Sequence, residues 1–329
     1  MEYLGLDLHG IVELVDVRGR KIFSRYPQHV NEAIGHTTAY QLNCTEIRLV
    51  PLSDCFITLE SLGHRHMSKV MVYYGDYAYP EEFLFTKEVT IPIQVLKVND
   101  NPLPKSLERP LDFSSSVVRI MISSENVLIK AISGDYRLPT KSEVPILKMM
   151  AYGTSITQGY SPTAVDLTYT NIVAREMGAD LVNFGLAGNA KCEPEVTDFL
   201  KTSGKYDIIL LELSVNMLMM GFSADQFEER VEYMITELKK HQPKAKILCL
   251  GVLPFYGDHG VIGLRDVMVS DPQTYRRILK EIVENLNSIN ITYLDPLEAC
   301  SIGDMSSDFL HPGNIGMIKI AQYIIQHFK

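Results

Sequence analysis

Two short stretches of this 329-residue chain contain side chains able to do covalent chemistry. The first is Met149-Met150-Ala151-Tyr152-Gly153-Thr154-Ser155, an apolar run of strand length that stops at Gly-Thr-Ser. The second is Asp308-Phe309-Leu310-His311-Pro312, a carboxylate and an imidazole three residues apart. A serine hydroxyl is a weak nucleophile at neutral pH unless a base takes its proton, and the base needs a group that fixes its tautomer. Ser155, His311 and Asp308 supply those three types. The chemistry they suggest is acyl transfer through a serine, as in an esterase. Such a reaction also needs donors aimed at the developing oxyanion. Gly188, in Leu186-Ala187-Gly188-Asn189, offers an unhindered backbone N–H, and Asn216, after Glu212-Leu213-Ser214-Val215, offers a side-chain amide.

Each of these residues also has an ordinary structural reading. Ser155 could cap a helix, Asp308 could cap the last helix, Gly188 could serve a tight turn, and Asn216 could be a cap. The presence of all four blocks together favours the chemical reading.

The elements that must position these residues differ between the two halves. Up to about Ile132 the chain reads as short strands, near 46–50, 56–60, 70–74, 89–93 and 117–122, punctuated by Gly, Pro, Asn, Asp and Ser. That grammar predicts an antiparallel β-sandwich, jelly-roll-like. A polar stretch with two prolines, Gly134 to Pro145, reads as a linker. We therefore expect an N-terminal domain over 1–140 and a second domain over 141–329. In the second, apolar runs near 147–152, 181–184, 207–213, 246–252 and 291–294 alternate with helical segments. Ser223-Ala224-Asp225-Gln226 has the form of a capping box, followed by Phe227, Val231, Met234 and Leu238 on one helical face. Ile318, Ala321, Ile325 and Phe328 suggest the buried face of the last helix. Buried strands alternating with amphipathic helices predict a parallel sheet covered on both faces, an α/β fold.

Composition narrows the function classes. A formal charge of −9 without a Lys/Arg cluster argues against nucleic acid as a partner. No apolar run approaches the ~20 residues that span a bilayer, and the N-terminus lacks the basic start and apolar core of a secretory leader, so we expect a cytoplasmic location and no membrane partner. The five scattered cysteines form no CxxC pair and read as buried thiols. His64 and His66 share a strand face, but no nearby Cys or carboxylate completes a metal site. Asp258-His259 reads as a solvated loop at the edge of the site. Thr157 occupies the last position of a would-be G-x-S-x-G elbow, which excludes that rival fold.

These blocks resemble the SGNH (GDSL) hydrolases over roughly Leu147 to Phe328. Gly-Thr-Ser at 153–155, Gly188, Asn216 and Asp308-x-x-His311 follow that family's order. The resemblance implies a flavodoxin-like three-layer α/β/α domain with Ser155 as nucleophile, His311 as base and Asp308 orienting it. It also implies an oxyanion hole of the Ser155 and Gly188 N–H groups and the Asn216 side chain, with no metal or organic cofactor. Three residues depart from the pattern: Thr154 stands where the family usually has aspartate, Ser214 where it usually has glycine, and Met217 where aspartate often follows the asparagine. A sandwich ahead of such a domain is similar in layout to family-two carbohydrate esterases and to related acyltransferases. That layout implies a small acyl ester as substrate, with acetyl on a carbohydrate as first candidate. An acyltransferase using the same acyl-enzyme, and a non-catalytic carbohydrate-binding or interaction protein, are the alternatives. The oligomeric state is not legible.

Overall fold

The computed structural model describes residues 1–17, 19–35, 40–63, 67–98, 101–102 and 113–328. His64 and His66 lie outside them. The chain divides into two compact units, one comprising Met1–Asn31, Ala39–Ile146 and Gly178–Val182, the other Glu32–Thr38, Leu147–Met177 and Asn183–Lys329.

In the first unit a seven-stranded and a three-stranded sheet share one core. The strand Thr45–Pro51 pairs antiparallel with Val118–Ser123, which pairs on its other side with Ser68–Tyr74. In the smaller sheet Cys55–Ser61 lies between Val127–Ser133 and Glu88–Ile93. Apolar side chains of both sheets, among them Ile47, Leu49, Val72 and Ile120 from one and Ile57, Leu59 and Ile91 from the other, are buried in a single cluster. Two antiparallel sheets closed on a shared core form a β-sandwich. The five strands expected from sequence are present within a residue or two of their expected ends. Other strands were not legible, three of them for visible reasons. Leu6–His9 is only four residues long, Tyr77–Phe85 is mostly exposed, and a register shift interrupts Val127–Ser133. On the larger sheet, buried Glu46 receives both Arg119 Nη2 at 2.6 Å and Arg48 Nε at 2.7 Å, while both guanidiniums lie over the Phe113 ring.

A five-stranded sheet comprises β1 (Leu147–Tyr152), β3 (Ile208–Glu212), β4 (Lys246–Leu250) and β5 (Ile291–Leu294) of the second unit together with β2 (Ala179–Asn183), whose residues up to Val182 group with the first. Their spatial order is β2-β1-β3-β4-β5, and the β1–β3, β3–β4 and β4–β5 ladders are parallel. This is the flavodoxin-like order, in which chemistry collects beyond the C-terminal strand ends. Every residue of β3 is buried, as expected of a strand covered on both faces. The helix Ala224–His241 starts with the expected capping box, the Ser223 hydroxyl accepting from Gln226 N and the Gln226 side chain accepting from Ser223 N. Phe227, Val231, Met234 and Leu238 are fully buried.

One expected face is corrected. In the last helix, Asn314–Gln326, the buried residues are Gly316, Met317, Ile320, Ala321 and Ile324. Ile318, Ile325 and Phe328 are only partly buried. Almost every position in Ile-Gly-Met-Ile-Lys-Ile-Ala is apolar, so the choice of stripe was degenerate, and packing turned the helix about one residue from the expected phase.

Candidate active site

The nucleophile turn follows β1 directly. Thr154 is the N-cap of α1 (Ser155–Gln158), and its side chain accepts from Ile156 N. Ser155 is therefore not the cap but the first helical residue, at a helix start where backbone N–H groups lack intrahelical acceptors. Ser155 Oγ lies 2.7 Å from His311 Nε2. His311 Nδ1 lies 2.6 Å from Asp308 Oδ2. The serine thus forms one hydrogen-bonded line with an imidazole and a carboxylate that lie 156 and 153 residues further along the chain.

A tight turn sets the geometry of the second pair. Asp308 Oδ1 accepts from the backbone N–H groups of Leu310 and His311, both at 2.9 Å, and from the Ser306 hydroxyl at 2.8 Å. Phe309 between them has φ +54°, the left-handed region that a bulky residue enters only when its surroundings hold it there. Burial pulls the Asp308 carboxyl upward. The hydrogen bonds from the His311 N–H and ring, Leu310 and Ser306 outweigh that pull and hold it at about 2. It is a carboxylate at neutral pH, suited to accept from Nδ1–H and leave Nε2 facing the serine. Asp308 does not cap the last helix, which begins after Gly313. The Tyr160 ring packs against the imidazole, centroids 4.8 Å apart, a contact no spacing in the sequence announced.

Gly188 and Asn216 also meet. The Asn216 amide is assigned with its oxygen toward the Asn189 N–H at 3.1 Å and the Gly188 and Ala190 N–H groups at 3.3 Å, the orientation that matches donors to acceptors. That leaves the amide nitrogen as a donor. Gly188 has φ +69° and open space where a Cβ would stand, so glycine is needed there for backbone conformation rather than for room. Ser214, the residue in place of the family's glycine, caps α2 (Val215–Met219) by position only. Its hydroxyl donates to the Ala190 carbonyl and ties the Gly188 loop to the Asn216 strand end. The same loop is tied to the nucleophile turn by Leu186 N to Gly153 O at 2.8 Å and by Ala187 N to Gln158 Oε1 at 2.6 Å. Met217 is fully buried and serves packing.

One residue at this strand end was overlooked in the sequence. Glu212, the last of β3, is fully buried. Its Oε2 accepts from Thr154 N and Thr154 Oγ1, both at 2.7 Å, and from Thr157 Oγ1 at 3.2 Å. Burial pushes its carboxyl up, only partly offset by those donors, to about 7. The available signal was a lone acid closing an otherwise apolar strand, Ile-Ile-Leu-Leu-Glu. A second correction concerns Asp258. It is no solvated loop residue, since buried Arg276 grips it through Nη1 at 2.5 Å and Nη2 at 2.9 Å, and it accepts from Phe255 N at 3.0 Å. Among the described residues no group of three His, Cys, Asp or Glu side chains could hold a metal ion.

A model of the GDSL-like lipase/acylhydrolase family matches residues 147–329. The chain belongs to that family. Ser155, Gly188, Asn216, Asp308 and His311 all lie within the matched residues. A multidomain esterase of Ruminococcus flavefaciens is 26% identical over 134 residues, 40% of this chain but only 16% of that protein. Among solved structures, a salicylyl-acyltransferase from a tetracycline biosynthetic pathway superposes with TM-score 0.71 at 15% identity, covering 99% of this chain and 94% of that one. A family-two carbohydrate esterase from Cellvibrio japonicus gives 0.62 at 13% identity over 98% and 94%. One from Clostridium thermocellum, solved with cellohexaose, gives 0.59 at 14% over 87% and 91%. At such identities the likeness is one of fold, and it extends over both units of this GDSL-like chain.

Proposed function

We propose that this protein is a serine-dependent acyl-ester hydrolase, its chemistry carried by residues 141–329, acting on a small acyl ester, with acetyl on a carbohydrate as the first candidate. The reading rests on one observation, the unbroken line from Ser155 Oγ through His311 to Asp308 at 2.7 and 2.6 Å. Ser155 Oγ attacks the ester carbonyl carbon as His311 Nε2 takes its proton. The carbonyl oxygen becomes an oxyanion stabilised by the Ser155 N–H and the Asn216 amide nitrogen, with the Gly188 N–H turning from the Asn216 oxygen to join them. The tetrahedral species collapses, the C–O bond to the alcohol breaks, and His311 returns the proton to the leaving oxygen. Water, deprotonated by His311, then attacks the Ser155 ester and releases the carboxylic acid. The carbohydrate part of the proposal is supported by the sandwich-plus-hydrolase layout shared with family-two carbohydrate esterases.

Hydrolysis of p-nitrophenyl esters from acetyl to decanoyl tests this, with Ser155→Ala and His311→Ala beside the parent protein. Losses of at least ~10³-fold in kcat are expected for both variants, with activity concentrated in short acyl groups. Near-normal turnover in either variant sinks the assignment.

A second reading, acyl transfer to an alcohol in place of water, draws support from one feature. The loop after β4 exposes Val261, Ile262, Leu264, Val267 and Val269, and its backbone reaches the site on two sides, through Tyr256 N to Phe309 O and Val267 N to Met219 O. An apolar rim could exclude water from an acyl-enzyme. Product analysis with added alcohols separates the two readings: new ester in excess of free acid selects transfer.

A further inference from the structure

Glu212 is an expensive residue to bury. It has no exposed surface, forms no ion pair among the described residues, and its Oε1 has no hydrogen-bond partner among them. A carboxyl group in that setting costs several kcal/mol unless its contacts repay the burial. All of its bonds fall on the other oxygen, and all come from the nucleophile turn: the Thr154 N–H, the Thr154 hydroxyl and the Thr157 hydroxyl. The Thr157 hydroxyl in turn meets the Tyr169 hydroxyl at 2.7 Å. The approach is also cleared sterically. A Cβ on Gly153 would stand 2.7 Å from Glu212 Oε2 and 2.3 Å from Thr157 Oγ1, so the strand must end in glycine for the carboxyl to reach Thr154.

This arrangement accounts for the residue before the nucleophile. An aspartate at 154 would turn an acceptor-only carboxylate toward Glu212 Oε2, with no cation among the described residues to separate them, whereas threonine offers its backbone N–H and hydroxyl to that oxygen. We infer that Glu212 is the positioning residue of the nucleophile turn, acting through Thr154, and that Thr154 and Glu212 form a matched donor–acceptor pair. The inference rests on Ser155 being the nucleophile. Glu212 touches no reacting atom. It fixes where α1 begins, and with it the direction of Ser155 Oγ and of the Ser155 N–H.

The test is a set of variants at 154 and 212, with kcat and KM on p-nitrophenyl acetate, the labelling rate of Ser155 by a fluorophosphonate, and Tm for each. Thr154→Asp should lower kcat by ~10²-fold with KM within ~3-fold, because a misaimed nucleophile loses rate rather than binding. Thr154→Ser keeps both donors and should stay within ~3-fold of the parent. In Thr154→Asp with Glu212→Gln, the glutamine amide donates to the aspartate, and kcat should recover at least ~10-fold over Thr154→Asp alone, the non-additivity expected of a contacting pair. If Thr154→Asp does not fold, Thr154→Val reports instead, and its fluorophosphonate labelling should slow. A Thr154→Asp protein within 3-fold of the parent, a double variant no better than the single, or unchanged labelling in Thr154→Val overturns the inference. Ser155→Ala in the same assay separates the two levels: if it retains turnover, the nucleophile assignment itself fails and the Glu212 role falls with it.

Discussion

At the scale of single residues, the site is a problem in keeping protons on the right atoms. Asp308 is held at about 2, so it stays a carboxylate at neutral pH and orients the imidazole without taking its proton. Asp308→Asn would turn an amide N–H toward Nδ1 and favour the tautomer that points a proton at Ser155. We expect kcat to fall by ~10³–10⁴-fold with KM little changed, by analogy with the same change in other serine triads, measured on p-nitrophenyl acetate at pH 7.5. A loss below 10-fold contradicts the orienting role. These residues could be picked out of the sequence because their types are chemically unusual together. Glu212 could not, because one glutamate in a run of apolar residues has no partner in one dimension. Its three donors arrive from the turn after a different strand, 55 to 58 residues away. Tyr160 escaped notice for the same reason.

Secondary-structure elements show where sequence patterns suffice. Strands of the parallel sheet were legible because burial on both faces demands continuous apolar runs, and the capping box at Ser223 because its pattern is local. Ser223→Ala should remove the acceptor for Gln226 N and cost about 1 kcal/mol, read from urea denaturation, with ester hydrolysis unchanged; no change in the midpoint would show that the helix start is held by packing alone. Patterns failed where three-dimensional context decides. Tyr77–Phe85 is an edge strand with residues such as Glu81 and Glu82 exposed, so alternation is absent. The last helix offered two apolar stripes and the packing chose between them. The Asp258 loop looked solvated because Arg276, its partner, comes from the following helix, Pro272–Asn285.

For the molecule as a whole, the acids with displaced titration shape how stability varies with pH. Burial alone would raise Glu46, but the Arg119 and Arg48 guanidiniums keep it well below the usual carboxylate range. Arg137 and Thr140 hold Glu143 at about 2, against a weaker upward pull from burial, and Asp308 sits there too. Acids depressed in the folded state add stability above their unfolded values, which is lost as pH falls from about 4.5 toward 2. Glu212 has the opposite sign. Raised to about 7, it keeps its proton in the fold while the unfolded chain gives it up, so stability declines as pH rises from about 4.5 to 7. Burial and the nearby Arg48 guanidinium lower His9, whose neutral form adds stability as pH rises over the same window, so the outcome is read as a difference: from pH 5 to 7 the Tm of Glu212→Gln should rise relative to that of the parent. Parallel Tm curves for the two proteins over that window contradict the Glu212 contribution.

All five cysteines are free and buried, two of them, Cys192 and Cys249, with thiols pushed far up by desolvation. The folded protein therefore presents no ready thiolate to an alkylating reagent, while its unfolded chain presents five. A maleimide placed by engineering on a surface cysteine would react alone in the native state, so dyes or tethers can be attached next to the site without first stripping the interior. The same contrast makes the slow appearance of native thiol reactivity a clock for spontaneous opening, ticking separately for Cys55 in the sandwich and Cys249 in the parallel sheet.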